Sequence, residues 1–180
     1  MKNNTKIKIL KSGSSSFLDY PDNKHLAIIV YILGCAHDCY GCQNPKLQNI
    51  MYSDANTVEV TINEFKNNLE KLALKYRTNK LVLSGGDPLF PDNLDFIKEF
   101  LITTIYDVCI YTGYSIEYVQ ELNISNFKFL KCGKYISALH QVSEKTDDYF
   151  QFSSKNQKLY NDKFKLISKN GRYYFCIKED

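Results

Sequence analysis

Residues 27–33 read AIIVYIL, and residues 34–42, which follow without a break, read GCAHDCYGC. A continuous run of apolar and β-branched residues is typical of a strand that is buried on both faces, as in a parallel sheet. The segment after it is polar and spaces three cysteines as C-x3-C-x2-C. The sequence therefore predicts a buried parallel strand whose carboxyl end leads into a cysteine-bearing loop.

Strand and helix patterns alternate downstream of this first strand. Further strands are predicted at 80–83, 107–111 and 127–130, and helices at 61–76, 94–105 and 115–122. The resulting β-α-β-α-β-α-β order predicts a parallel sheet with right-handed crossovers. A complete barrel typically needs about 250 residues, and the chain has 180. We therefore expect an α/β fold with a partial, incomplete TIM-like barrel, in which helices cover the outside of a mostly parallel sheet.

The flanking segments give weaker patterns. Residues 6–10 alternate and predict a short edge strand, and residues 13–24 predict a loop. Near the other end, residues 170–171 read NG and separate apolar runs at 164–168 and 172–177. Asn-Gly between two apolar runs predicts a C-terminal β-hairpin.

The three clustered cysteines are candidate metal ligands. Three thiolates can hold three irons of a cubane [4Fe–4S] cluster, which leaves the fourth iron without a protein ligand. Such an open iron can chelate a small molecule through an amine and a carboxylate. Cys35, Cys39 and Cys42 are therefore candidate cluster ligands. A zinc site formed by these cysteines and His37 is an alternative, although structural zinc sites more often use two separated ligand pairs.

A second motif follows the predicted strand at 80–83. Residues 83–88 read LSGGDP. Ligands of open α/β sheets and barrels bind beyond the carboxyl ends of the strands, so this motif and the cysteine segment should share one rim. Glycines allow the backbone to approach a ligand closely, and an acidic side chain can accept a hydrogen bond from an ammonium group.

Composition excludes several classes of protein. A hydrophobic fraction of 44%, with 14 tyrosines and 11 phenylalanines, excludes intrinsic disorder. A net charge of +3 is too small to indicate a nucleic-acid partner. No apolar run reaches the roughly 20 residues of a membrane span, and the first 16 residues lack the apolar centre of a signal peptide. We expect a cytoplasmic protein whose six cysteines are ligands or free thiols.

Together the motifs resemble the radical S-adenosylmethionine (SAM) superfamily, and more narrowly the activating-protein family of anaerobic ribonucleoside-triphosphate reductases. The resemblance is carried by residues 34–44, 83–91, 111–114, 133–135 and 153–157. Gln43 stands where that family more often has tyrosine, and Cys132 stands where it often has aspartate. Gly41 replaces the aromatic residue that the wider superfamily usually has there, as this narrower family also tends to do.

The resemblance implies a single radical SAM domain over residues 1–180, with a core at about 27–160 and a hairpin extension at about 161–180. It implies that Cys35, Cys39 and Cys42 ligate a [4Fe–4S] cluster. It also implies a set of residues around SAM: Gly41, Cys42, Gln43, Gly85, Gly86, Asp87, Thr112 and Gly113. Of these, Gly85, Gly86 and Asp87 would meet the amino end of SAM, and Gly41 and Gln43 would lie near its adenine.

The implied activity is that of an oxidoreductase that activates a glycyl-radical enzyme. A one-electron donor such as flavodoxin or ferredoxin would reduce the cluster, and SAM would be cleaved to methionine and a 5′-deoxyadenosyl radical. That radical would abstract a hydrogen atom from a glycine of the large subunit of an anaerobic ribonucleotide reductase.

Other interpretations stay open at this point. The chain could activate a different glycyl-radical enzyme, act on a small molecule, serve as a non-catalytic zinc-binding module, or be a catalytically idle subunit. His37 could hydrogen-bond near the cluster or be an exposed loop residue. Cys109 and Cys176 are predicted to be small core residues. Cys132 is also interpreted as structural, with a redox or partner role as the alternative.

Overall fold

A computed structural model describes residues 5–11, 13–22 and 24–175. The strands are β1 (Lys6–Leu10), β2 (Ser14–Ser16), β3 (Ala27–Ile32), β4 (Thr57–Thr61), β5 (Lys80–Gly85), β6 (Asp107–Tyr111), β7 (Phe129–Cys132), β8 (Glu144–Lys145), β9 (Tyr149–Gln151), β10 (Lys158–Asn161) and β11 (Arg172–Tyr174). The α-helices are α1 (Ile62–Tyr76), α2 (Pro91–Thr103) and α3 (Ile116–Glu121). Short 3-10 helices occupy Pro45–Gln48 and Ser137–Leu139.

The central part of the larger sheet is parallel, as the alternating pattern predicts. Strands β3, β5, β6 and β7 are neighbours in that order and all run parallel. Antiparallel strands flank them, because β10 pairs with β7 at one side, and β1 pairs with β3 at the other. Strand β2 also pairs with β3. The prediction of a mixed α/β fold around a parallel sheet is confirmed.

The sheet stays open within the described residues. Its end strands, β4 and β10, are not paired with each other. The parallel strands and helices that a partial TIM-like barrel requires are present, but the antiparallel strands on both sides do not belong to that pattern. The partial barrel therefore stays a prediction.

Each face of the parallel strands has its own cover. On one face, Ile28, Leu81 and Val108 join a large core with apolar residues of the three helices, such as Phe65 of α1 and Phe100 of α2. Residues on the opposite face pack instead around Tyr20 and the aromatic cluster of the smaller sheet, which has the order β11-β9-β8. The helices thus cover one face only, and the other face borders the cavity described below.

Several element predictions need correction at their edges. The segment at 6–10 is not an edge strand, because β1 pairs on both sides, with β3 and with β4. Strand β4 escapes prediction because its five residues run straight into a helix. A capping box starts that helix: the Thr61 hydroxyl accepts from the Glu64 N–H, and the Glu64 side chain accepts from the Thr61 N–H.

Other boundaries move by two or three residues. Helix α2 begins three residues before the predicted start, because Pro91 occupies its first turn, where proline is tolerated. Strand β7 lies two residues downstream of the predicted strand at 127–130. Within the predicted loop at 13–24, a short strand pairs with β3.

The predicted C-terminal hairpin is half right. Its tight turn exists, because Lys169 and Arg172 exchange two backbone hydrogen bonds around Asn170 and Gly171, whose φ angles are 51° and 71°. The predicted first arm at 164–168 is wrong, because β11 pairs with β9 instead. Residues 176–177 of the second arm, including Cys176, lie outside the described residues. In the part of the chain that the structure describes, no helix has the length and apolarity needed to cross a membrane.

Candidate functional site

A cavity of about 250 Å³ lies at the carboxyl ends of the parallel strands. Two of its walls are the cysteine loop, residues 34–44, and the glycine loop, residues 84–87. Every residue in the predicted site set except Asp87 lines it: Cys35, Cys39, Gly41, Cys42, Gln43, Gly85, Gly86, Thr112 and Gly113. The sequence motifs thus come together on one rim of the sheet.

The glycine loop is bonded directly to the start of the cysteine loop. The Gly86 N–H donates to the Ile32 carbonyl at 2.7 Å, and the Asp87 N–H donates to the Gly34 carbonyl at 2.7 Å. A Cβ at residue 86 would lie 2.5 Å from the Gly34 carbonyl oxygen. Gly85 has a φ of +119°, and a Cβ there would clash with the backbone of Ile32. Both positions therefore require glycine for this close approach.

The cysteine loop is closed at its base by two backbone hydrogen bonds. Gly34 donates to Leu47 at 2.8 Å, and Cys35 donates to Gln48 at 2.9 Å. Inside the loop, the Cys42 N–H donates to the Cys39 carbonyl at 3.1 Å. This turn brings the second and third cysteines of the motif to the same wall of the cavity as the first.

The three cavity cysteines are free and partly buried. Burial raises the pKa of the Cys35 thiol to about 11 and also raises the pKa of Cys39. Metal ligation requires the thiolate, so binding iron at these positions releases protons. Among the described residues, no three His, Cys, Asp or Glu side chains converge on a position for one metal ion. In a cubane cluster, each thiolate ligates a different iron, and the three sulfurs need not converge on one point.

Asp87 is the hydrogen-bonding centre of the rim, although it does not line the cavity. Its side chain is fully buried. One oxygen, Oδ2, accepts from the Thr112 hydroxyl and the Gly113 N–H, both at 2.9 Å, and lies 2.6 Å from His37 Nε2. The other oxygen accepts from the Leu89 N–H at 2.8 Å. Its hydrogen bonds join the glycine loop to the cysteine loop and to the end of β6. The contact between this carboxylate and the amino end of SAM stays a prediction.

His37 is not the exposed loop residue that one interpretation allows. Its ring also makes an edge contact with Tyr114, with centroids 4.4 Å apart. A Cβ at Gly113 would clash with this ring. The cysteine loop is thus anchored to the end of β6 through His37, which lies between two of its cysteines.

The cavity lining carries positive side chains and no carboxylate among the described residues. Lys131 and Lys134 both line it. Lys131 places its amine 4.2 Å from the centroid of the Tyr111 ring, and burial lowers its pKa to about 8. Such a cavity favours an anionic occupant.

Sequence reasoning missed several residues of this site. Asn93 on α2 is buried, and its amide donates to the Leu33 carbonyl at 2.8 Å and to the Asp87 carbonyl at 3.1 Å. Lys131 lies on a strand that the sequence places two residues too early, so its position at the cavity could not be anticipated. The sequence signal for Asn93 is its helical spacing with Phe96, Ile97 and Phe100, which places a polar residue on an apolar helix face.

Comparison with protein-family models matches residues 25–160 to the family described as 4Fe-4S single cluster domain. The matched segment includes the cysteine loop, the glycine loop and all four parallel strands.

Among curated proteins, the chain is similar to several anaerobic ribonucleoside-triphosphate reductase-activating proteins. The protein of Enterobacteria phage T4 is 27% identical over 115 residues, which cover 61% of this chain and 70% of that protein. The protein of Haemophilus influenzae is 28% identical over 97 residues, or 49% of this chain and 58% of that protein. The protein of Escherichia coli (strain K12) is 28% identical over 127 residues, or 63% and 77% of the two chains.

Proposed function

Because the chain belongs to the 4Fe-4S single cluster domain family, we propose that it is a radical SAM enzyme that activates an anaerobic ribonucleotide reductase. The observation that carries the proposal is the shared cavity of the three motif cysteines and the Gly85-Gly86 strand end. The similarity to proteins named anaerobic ribonucleoside-triphosphate reductase-activating protein supports the choice of partner.

The residues at the cavity fit a [4Fe–4S] cluster. Cys35, Cys39 and Cys42 are free thiols on one loop and would ligate three irons. Their partial burial would shield a cluster from water. The other walls of the cavity, at Gly85–Gly86 and Thr112–Gly113, would border a second molecule. When reduced and bound, the cluster would supply the electron that cleaves SAM to methionine and a 5′-deoxyadenosyl radical, which takes a hydrogen atom from a glycine of the reductase.

The protein's own contribution is to bind and orient SAM. Gly85 and Gly86 present backbone rather than side chain to the cavity, which suits close contact with an amino group. Thr112 and Gly113 line the neighbouring wall. Gly41 and Gln43 also line the cavity and would lie near the adenine. Asp87 would act by holding these walls together through its four hydrogen bonds.

The cationic side chains of the cavity fit the carboxylate of SAM. Lys131 and Lys134 are candidates, since both line the cavity. Neither takes part in an ion pair among the described residues. A carboxylate between the open iron and one of these amines would be doubly stabilised in a partly buried site.

Further parts of the proposal concern partners and location. We propose flavodoxin or ferredoxin as the one-electron donor, the large subunit of the reductase as the protein substrate, and the cytoplasm as the location. The proposal includes no nucleic acid and no membrane. We also propose that residues 1–180 form a single radical SAM domain.

The test is electron paramagnetic resonance on protein reconstituted with iron and sulfide without oxygen, then reduced, with and without SAM. We expect a reduced [4Fe–4S] signal that changes shape when SAM is added. The Cys39→Ala variant should lose the signal, whereas Cys109→Ala, which removes a cysteine on the opposite side of the sheet from the helices, should keep it. Stoichiometric zinc without a cluster would instead support the zinc-binding module and refute the radical reaction.

A further inference from the structure

A second hollow, which we call the basic concavity, lies outside the cofactor cavity. It measures about 690 Å³ and is lined by Gln141, Lys155, Lys169, Asn170, Arg172 and Tyr174. Three of these six side chains are cationic and none is acidic. The function proposed above makes no use of it.

The backbone beneath the concavity is firmly built. The turn at Asn170-Gly171 packs against the segment around Lys155 so closely that a Cβ on Gly171 would lie 2.9 Å from the Lys155 Cα. Gln141 fixes the same turn, because its amide donates to the Phe152 carbonyl at 2.9 Å and to the Gly171 carbonyl at 3.1 Å. The backbone that forms the concavity is therefore held in place by close packing and by side-chain hydrogen bonds.

The three cations have no acidic partner among the described residues. Within the described residues, none of Lys155, Lys169 and Arg172 forms an ion pair. The Arg172 guanidinium is instead held by a hydrogen bond to the Gln151 side chain and lies 4.9 Å from the centroid of the Tyr149 ring. Glu144 lies across β9 from it, but the Tyr149 hydroxyl donates to that carboxylate. Three like charges around one hollow repel each other, and an anionic ligand would relieve that repulsion.

One short ladder separates the concavity from the cofactor cavity. The Gln141 backbone N–H donates to the Ser153 carbonyl at 3.1 Å, and the Lys155 backbone N–H donates to the Leu139 carbonyl at 3.0 Å. His140 and Ser153 of this ladder line the cofactor cavity, whereas Gln141 and Lys155 line the concavity. A chain bound in the concavity would therefore lie directly beside the cavity.

We propose that the basic concavity docks an acidic segment of the protein substrate and so holds that protein beside the cofactor cavity. The identity of that protein rests on the proposed function, while the binding of an acidic segment does not. Three long cationic side chains, of which Lys155 and Lys169 are exposed, border about 690 Å³. This arrangement suits several carboxylates spread along a polypeptide better than one compact phosphate group.

The test measures the binding of a fluorescent peptide that alternates glutamate and glycine, by anisotropy at low and high salt. A peptide with glutamine in place of glutamate is the ligand control. The test variant is Lys155→Gln/Lys169→Gln/Arg172→Gln. The matched control variant, Lys158→Gln/Lys163→Gln/Lys165→Gln, removes the same charge from exposed lysines outside the concavity. The double variant Lys155→Gln/Lys169→Gln keeps Arg172 and its contacts with Gln151 and Tyr149. It therefore shows whether weaker binding comes from lost charge rather than from a disturbed fold.

We expect the glutamate peptide to bind in a salt-sensitive way, with about tenfold or greater weakening in the triple test variant, several-fold weakening in the double variant, and little change in the control. Wild-type binding that the test variants retain would overturn the proposal, as would no binding at all. Displacement of the peptide by inorganic triphosphate at lower concentrations than by unlabelled peptide would also overturn it, in favour of a phosphate site. A protein that binds the peptide but cleaves no SAM would support docking while refuting the proposed function.

Discussion

The glycine loop and the cysteine loop border the same cavity but differ in how completely they are bonded. The glycine loop ends in the buried Asp87, whose two oxygens have four partners. Between residues 36 and 43 of the cysteine loop, the described backbone makes one backbone–backbone hydrogen bond, from Cys42 to Cys39. The cysteines themselves are partly exposed.

This difference in hydrogen bonding indicates that the two loops have different roles. The wall that would meet SAM is fixed before any ligand binds, which is the preorganisation that a reactive site requires. The loop that would hold the cluster is fixed mainly at its base and through His37. Metal binding and local folding are coupled in such loops, so a cluster would add order to a loop whose own backbone makes few hydrogen bonds. The predictions below test this contrast by free energies of unfolding of the iron-free protein.

The largest effect is expected for Asp87→Ala. The substitution leaves the Thr112 hydroxyl and two backbone N–H groups buried without their acceptor. Removing one member of a buried charged network typically costs about 3–5 kcal/mol. Urea unfolding followed by circular dichroism should show that loss.

The matched control for this prediction is Asp95→Ala, which removes an exposed carboxylate from α2. It should change the free energy of unfolding by less than about 0.5 kcal/mol. An Asp87 variant as stable as this control would refute the idea that the glycine loop is held by its carboxylate.

A smaller effect is expected for Gly113→Ala. The new methyl group would clash with the His37 ring, which cannot retreat freely because Tyr114 packs against it. Overpacking of this kind typically costs about 1–3 kcal/mol. Because the strain falls on the anchor of the cysteine loop, we also expect less iron and sulfide bound after reconstitution.

A double-mutant cycle with His37→Ala checks the cause of that loss. If the clash is with the imidazole, Gly113→Ala should cost clearly less in the His37→Ala background than in the wild type. Equal costs in both backgrounds would place the strain elsewhere.

Unlike the previous substitutions, Lys131→Met should stabilise the protein. The size of this stabilisation should depend on pH. Burial lowers the pKa of Lys131 from 10.5 to about 8, so between these values the unfolded chain binds a proton that the folded chain lacks. The folded wild type is therefore penalised most below pH 8 and gains stability as the pH rises from 8 towards 10.5. The methionine variant lacks this penalty and should be more stable at pH 7, by on the order of 1 kcal/mol.

The measurement is the difference in unfolding free energy between Lys131→Met and wild type at pH 7, 8 and 9. The advantage of the variant should shrink as the pH rises. A difference that does not change with pH would mean that the lysine titrates normally and that the cavity is well hydrated.

The sequence predicted the parallel strands and the cysteine motif, because both depend on local patterns. Strand β3 is buried on both faces and reads as a continuous apolar run, and the cysteine spacing needs no neighbour to be recognised. Strand β9 has only three residues and forms by pairing with β8 and with β11, which lies more than 20 residues downstream. Pairing of that kind leaves no local pattern, which is why the sequence predicts the wrong first arm for the C-terminal hairpin.

The hydrogen-bond partners of Asp87 could not be predicted for a related reason. An aspartate beside two glycines at a strand end suggests a ligand contact, and its partners come from segments 25 and 50 residues away in sequence. Only the packing of three strand ends shows that the carboxylate is already satisfied by the protein. The sequence allows two interpretations of His37 for the same reason.

The smallest effect on stability, and the sharpest test of the contrast, is expected for Cys39→Ala. Its thiol is partly exposed on the weakly bonded loop, so the iron-free variant should unfold within about 0.5 kcal/mol of the wild type. Cys132→Ala removes a thiol that is 3% exposed in the core beneath the helices and should cost about 1 kcal/mol. Iron content should respond in the reverse order, since only the first variant removes a proposed ligand. If Cys39→Ala were instead strongly destabilising without iron, the cysteine loop would already be part of the folded framework, and the cluster would not be needed to order it.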